Sequence, residues 1–98
     1  MDFDVPKIDE ILNLEQLDTN IFRGKGVFSG LQRTYGGQVA AQSLSAATKT
    51  VDEGKVVHSL HSYFIRPGKS DQDTIFMVDR VRDGRSFATR LVLSLIHI

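Results

Sequence analysis

Two histidines three residues apart, in the run VVHSLHSYFIRPG from Val56 to Gly68, are the first side chains that could do chemistry. A shared metal ion would need both on one side of an element. The β-branched and aromatic residues of this run, bounded by Gly54 and by Pro67-Gly68, predict a strand. Residues three apart on a strand point to opposite faces, so His58 and His61 cannot ligate one ion. No metal and no other cofactor is expected. Taken singly, His58 is a candidate auxiliary acid, base or hydrogen-bond donor, against the plainer alternative of a packed strand histidine. Ser59 and Ser62 lie beside histidines in sequence, but nothing marks the third, orienting acid that a nucleophilic triad needs.

Two further clusters suit a bound ligand rather than bond breaking. In DRVRDGRSF, Asp79 to Phe87, the Arg82 and Arg85 guanidinium groups suit a phosphate-bearing ligand and Ser86 is a ready donor; the alternative is a solvated hairpin tip. Gly36 and Gly37 precede a helical stretch, where the first backbone N–H groups lack internal partners and glycine permits close approach. They mark a candidate contact for an anion or carbonyl. The turn has neither the Lys and Ser/Thr of a P-loop nor the spacing of a dinucleotide fingerprint. An ordinary amphipathic helix behind a Gly-Gly turn would look the same.

The elements that must position these residues follow from periodicity and punctuation. Residues up to Glu10 read as a loosely held arm. A short helix or turn around Leu14 and Leu17 leads to a first strand through Ile21, Phe22 and Val27, ending near Phe28. The helix from Gln38 carries Val39, Leu44 and Val51 as its only bulky apolar residues, and Ala40, Ala41, Ala46 and Ala47 keep it thin. Gly54 is the expected C-cap. After the Val56–Gly68 strand come a third strand, TIFMVDRVR, a hairpin signalled by Asp83-Gly84, and a fourth strand opening at Ser86. Strand, central helix and three strands without room for crossover helices make an α+β fold.

The totals exclude several classes. Twelve acidic and twelve basic residues balance in a 98-residue chain, with no basic face interleaved with aromatics, so nucleic acid is not an expected partner. There is no cysteine, hence no disulfide and no thiolate chemistry. No segment approaches the roughly 18 apolar residues of a membrane span, and the acidic start lacks signal-peptide order. A soluble, intracellular protein is expected. The chain stops at Ile98 within LVLSLIHI, an apolar strand with no turn after it. We therefore expect a truncated chain whose continuation would pair with this edge, and last residues that need not belong to the parent.

Four segments taken together, LEQLDTNIFRG, YGGQVAAQSL, VHSLHSYFIRPG and VDRVRDGRSFATR, resemble the type II acyl-CoA thioesterases, including peroxisomal members, in order and nearly in spacing from Leu14 to Arg90. The resemblance implies a hotdog fold, an antiparallel sheet wrapped around one central helix. It divides the chain into an N-terminal arm, 1–13, and an incomplete N-terminal hotdog, 14–98. It implies a parent that hydrolyses fatty acyl-CoA to fatty acid and CoA, with acyl-CoA as substrate, a second hotdog in the same polypeptide as partner, a homo-oligomeric assembly and a peroxisomal rather than cytoplasmic location. Gly36, Gly37, Gln38, Arg85 and Ser86 become the substrate-binding candidates. The acid, hydroxyl and Gln to which the family's hydrolysis is assigned lie on the second hotdog, and Ser59 stands here where the catalytic half carries its acid. A non-catalytic hotdog that binds acyl-CoA or serves in assembly is the alternative.

Overall fold

A computed structural model of the chain describes residues 11–24, 36–63 and 73–95. Four antiparallel strands, β1 (Glu15–Asp18), β2 (Ile21–Gly24), β3 (Thr74–Asp83) and β4 (Ala88–Leu95), form one sheet in the order β1-β2-β3-β4. A 13-residue helix, α1 (Gly36–Thr48), packs on β2, β3 and β4. The four strands and the helix that covers them match the α+β expectation.

The sheet is built from two hairpins. Asp18 and Asn20 make the first turn chemically: the Asp18 Oδ1 accepts from Thr19 N at 2.7 Å, and Asn20 O accepts from Val78 N at 2.8 Å, which ties the turn to β3. This turn creates β1, a strand that the hydrophobic pattern of EQLD does not announce, since all four residues are exposed. In the second hairpin Asp83 faces Ala88, and Gly84 N donates to Phe87 O at 2.7 Å across the turn. The Asp83-Gly84 signal was therefore well placed, but the strand resumes at Ala88, leaving Ser86 in the bend rather than at the head of the strand. A register shift between Arg80 and Arg82 displaces Val81, which is exposed.

The core lies between helix and sheet. Phe22 and Phe76, register partners on β2 and β3, are fully buried, and Leu14, Val78 and Ala46 close around them with Val92 at the margin. The helix does not meet this core through its bulky residues. Its buried stripe is Gln42, Ala46 and, one turn further, Thr50, spaced four apart as one helix face requires; Val39, Leu44 and Val51 are only half-buried. The two polar members of the stripe are satisfied. Gln42 Nε2 donates to Ile11 O at 3.0 Å and Thr50 Oγ1 donates to Ala47 O at 2.8 Å. Ser45 Oγ also donates to Leu12 O at 2.7 Å, so residues 11 and 12 are held on the helix; residues 1–10 of the expected arm lie outside the described residues.

Two expectations need correction. Residues 56–63 are not in a strand: they form no ladder among the described residues, and Val56, Leu60 and Tyr63 are exposed. A β-rich composition makes a strand only where a neighbour completes its hydrogen bonds, and β4 is an edge of the described sheet. Residues 64–72 of that run lie outside the described residues, as do 25–35, where the first strand was expected to continue to Phe28. Finally, Gly54 is not the helix C-cap. It has a φ of 96°, but the helix ends six residues earlier, closed by Thr48 Oγ1 donating to Ser45 O at 2.8 Å and by Thr50 N to Ala47 O at 3.0 Å.

Gly24 is where the close approach of sheet and helix becomes a requirement. A Cβ there would stand 2.9 Å from the Gln42 carboxamide and 2.9 Å from the Phe76 ring. Gly24→Ala is expected to cost about 1–3 kcal/mol, as overpacking of a filled core does. Denaturant unfolding of both chains checks this, and equal midpoints would contradict it.

Candidate functional site

The candidate residues separate into two groups at opposite ends of the helix. At one end, α1 begins at Gly36, so both glycines and Gln38 occupy the first turn rather than preceding it. No acidic side chain stands in that turn, where the first N–H groups of a helix carry partial positive charge. Gly37 is exposed and Gln38 half-buried. Chemically, this end can donate backbone hydrogen bonds to an anion or to a carbonyl oxygen gaining charge.

At the other end the Gly84–Phe87 turn meets the chain leaving the helix. Arg90 makes the junction. Its Nε donates to Thr50 Oγ1 at 2.7 Å and its Nη2 to Thr50 O at 2.9 Å and Asp83 Oδ1 at 2.7 Å, while Nη1 reaches Arg82 O and Thr89 O, both at 3.1 Å. Lys55 Nζ adds a bond to Gly84 O at 2.6 Å. The His58 and Phe87 rings lie with centroids 5.6 Å apart, tilted by 56°. Arg85 and Ser86 project exposed from the same bend. This end offers guanidinium and hydroxyl donors beside an aromatic pair.

A 13-residue helix rises about 20 Å. Gly36, Gly37 and Gln38 are thus separated from His58, Arg85 and Ser86 by the length of α1, and one ligand touching both groups must run along it. Midway, Ser43 Oγ and Ser94 Oγ are 3.1 Å apart, a hydroxyl pair joining helix and β4. His61 pairs its ring with Tyr63 at 6.0 Å and does not join His58. Among the described residues no three His, Asp or Glu side chains stand together as metal ligands.

Sequence reasoning missed Arg90, Lys55 and Thr50 as organisers of the hairpin end. One signal was present: Arg90 lies between Ala88 and Val92 in the row of β4 that faces the helix, where a charge needs a buried partner set. Asp83 supplies the carboxylate. Its hydrogen bond to Arg90, opposed by desolvation and reinforced by the charges of Arg90, Arg80 and Lys55, holds its pKa below the ordinary value.

Residues 26–95 match a family model described as the acyl-CoA thioesterase N-terminal domain. The chain belongs to the acyl-CoA thioesterase family. It is 42% identical over 90 residues to human acyl-coenzyme A thioesterase 8, covering 92% of this chain and 28% of that one. It is 33% identical over 93 residues to the peroxisomal acyl-coenzyme A thioester hydrolase 1 of Saccharomyces cerevisiae, covering 92% of this chain and 27% of that one. Among solved structures it resembles the acyl-CoA thioesterase II TesB2 of Mycobacterium marinum, with a TM-score of 0.82 and 51% identity over 92% of this chain and 32% of that one. The chain therefore spans about a third or less of the length of these relatives. Sheet and helix form the hotdog arrangement that the four motifs implied. No helix among the described residues is long and apolar enough to cross a membrane.

The Asp83–Arg90 pair has a defined acid signature. Because folding lowers the Asp83 pKa, its contribution is complete above the ordinary aspartate value of about 3.9 and is lost as pH falls through the lower folded value. Asp83 is more than half exposed, so the effect is modest. Melting temperatures measured from neutral pH downward should fall more steeply below about pH 4 for the parent chain than for Asp83→Asn. Superimposable acid limbs would contradict the assignment.

Proposed function

We propose that this chain is the N-terminal hotdog of a fatty acyl-CoA thioesterase and that the full parent hydrolyses acyl-CoA to a fatty acid and CoA. The observation that carries the reading is the match of residues 26–95 to the N-terminal thioesterase domain, supported by a TM-score of 0.82 at 51% identity to a solved acyl-CoA thioesterase. In this reaction water attacks the thioester carbonyl carbon, the C–S bond breaks, and the sulfur leaves as the CoA thiol once protonated. The transition state places negative charge on the carbonyl oxygen, which backbone donors can stabilise. Gly36, Gly37 and Gln38 are assigned to that end of the substrate, and Arg85 and Ser86 to its phosphate-bearing end. His58, exposed beside Phe87, is assigned an auxiliary role only.

The water-orienting acid, hydroxyl and Gln are assigned to a second hotdog of the parent polypeptide. Residues 14–98 are the first domain of this scheme and residues 1–13 its arm. The parent is read as a homo-oligomer and is placed in the peroxisomal matrix, the location being supported by similarity to a yeast protein named as peroxisomal. The second reading, a non-catalytic hotdog that binds acyl-CoA or serves in assembly, is favoured by the absence of any acid at Ser59.

A thiol-release assay with a long-chain acyl-CoA separates the two. The 98-residue chain alone is expected to oligomerise through the β4 edge and to release no CoA above background, whereas co-expression with a matching second hotdog restores turnover. Turnover by the chain alone would refute the half-enzyme reading. No turnover from a folded two-hotdog assembly would favour the non-catalytic one.

A further inference from the structure

The hairpin ladder closes the Gly84–Phe87 turn on itself, with Asp83 opposite Ala88, but it does not determine how the turn sits against the end of the helix. Among the described residues two side chains make that connection by hydrogen bonds, Arg90 and Lys55, beside the ring contact of His58 with Phe87. Lys55 contributes one bond to one carbonyl. Arg90 contributes five, and a guanidinium has five N–H donors, so every donor of this 5%-exposed group is used. Its acceptors come from three stretches: the turn that follows the helix (Thr50), the last residues of β3 (Arg82 and Asp83) and β4 itself (Thr89). A planar fork can satisfy that set at once, and an ammonium cannot.

We propose that Arg90 is the positioning residue of the hairpin tip: its fork sets the Gly84–Phe87 turn, with Arg85, Ser86 and the Phe87 ring, against the segment that carries His58. The consequence for ligand binding rests on the acyl-CoA reading above; the placement itself does not. Arg90 touches no substrate in this scheme. It acts through the bend, and Thr50 is the acceptor through which the helix end takes part. Valine in place of Thr50 keeps the side-chain shape and removes the hydroxyl, with its bonds to Arg90 Nε and Ala47 O.

The test uses the 98-residue chain and hydrogen–deuterium exchange read by mass spectrometry, which tolerates oligomers, with four variants: Arg90→Lys, Thr50→Val, Thr50→Ser and Lys55→Met. Arg90→Lys and Thr50→Val should each speed exchange severalfold in peptides covering 49–57 and 84–88 while leaving 74–80 unchanged. Thr50→Ser, which keeps the hydroxyl, should behave as the parent, and Lys55→Met should give a smaller change confined to the same two peptides. In the parent, free coenzyme A should slow exchange at 84–88, and in Arg90→Lys half-maximal protection should need at least about threefold more ligand. Unchanged exchange at 49–57 and 84–88 in both Arg90→Lys and Thr50→Val would overturn the proposal. So would equal acceleration at 74–80, which would make Arg90 a support of the whole fold. If the parent shows no protection by coenzyme A while the tip loosens as described, the acyl-CoA reading of this end fails and the positioning role stands.

Discussion

The distance between helix and sheet is the constraint on which the rest of this structure depends. Phe22 and Phe76 are fully buried beneath the helix, and the residues packed with them are Ala46 and the flat carboxamide of Gln42. Gly24 has no side chain because the carboxamide and the Phe76 ring already occupy that volume. With the helix this close, Ser43 meets Ser94 on one flank and Ser45 reaches Leu12 on the other. A helix set further out would lose these polar contacts as well as the apolar ones.

This packing explains why some of the molecule was readable from its sequence and some was not. The thin helix, the Asp83-Gly84 hairpin and the alternation of β3 are local properties, carried by residue size, turn chemistry and period two. The helix seam was not readable in the same way, because Gln42 and Thr50 occupy it and apolar periodicity points instead to Val39, Leu44 and Val51. Their burial depends on acceptors far along the chain, Ile11 O for Gln42, and for Thr50 the donor Arg90. The strand expected over Val56–Gly68 shows the converse in its described part, 56–63: β propensity was present, but the ladder that realises it requires a neighbour. Of the candidate site, residue types were legible and their grouping was not. Nothing local in GGQV or DGRSF states that they stand at opposite ends of one helix.

That separation shapes the functional reading. The helix start carries the glycine pair, and the far end offers Arg85, Ser86 and an aromatic pair, with α1 and its serines between them. An elongated ligand, polar at one end and reactive near its middle, suits such a layout better than a compact one. The family of this chain, whose members act on acyl-CoA thioesters by name, fits that shape. The outer face of the sheet carries Met77 opposite Leu93 and Leu91 opposite Asp79, so β4 exposes two leucines on the side away from the helix.

The central claim is that the small size of the residue at the helix–sheet contact permits this fold. The most direct measurement is the unfolding free energy of Ala46→Leu, because Ala46 is fully buried against the Phe22–Phe76 pair. The account predicts a loss of about 1–3 kcal/mol despite the added apolar surface, since there is no volume to receive it. Unchanged or increased stability would show that the helix can stand off from the sheet, and would contradict the account.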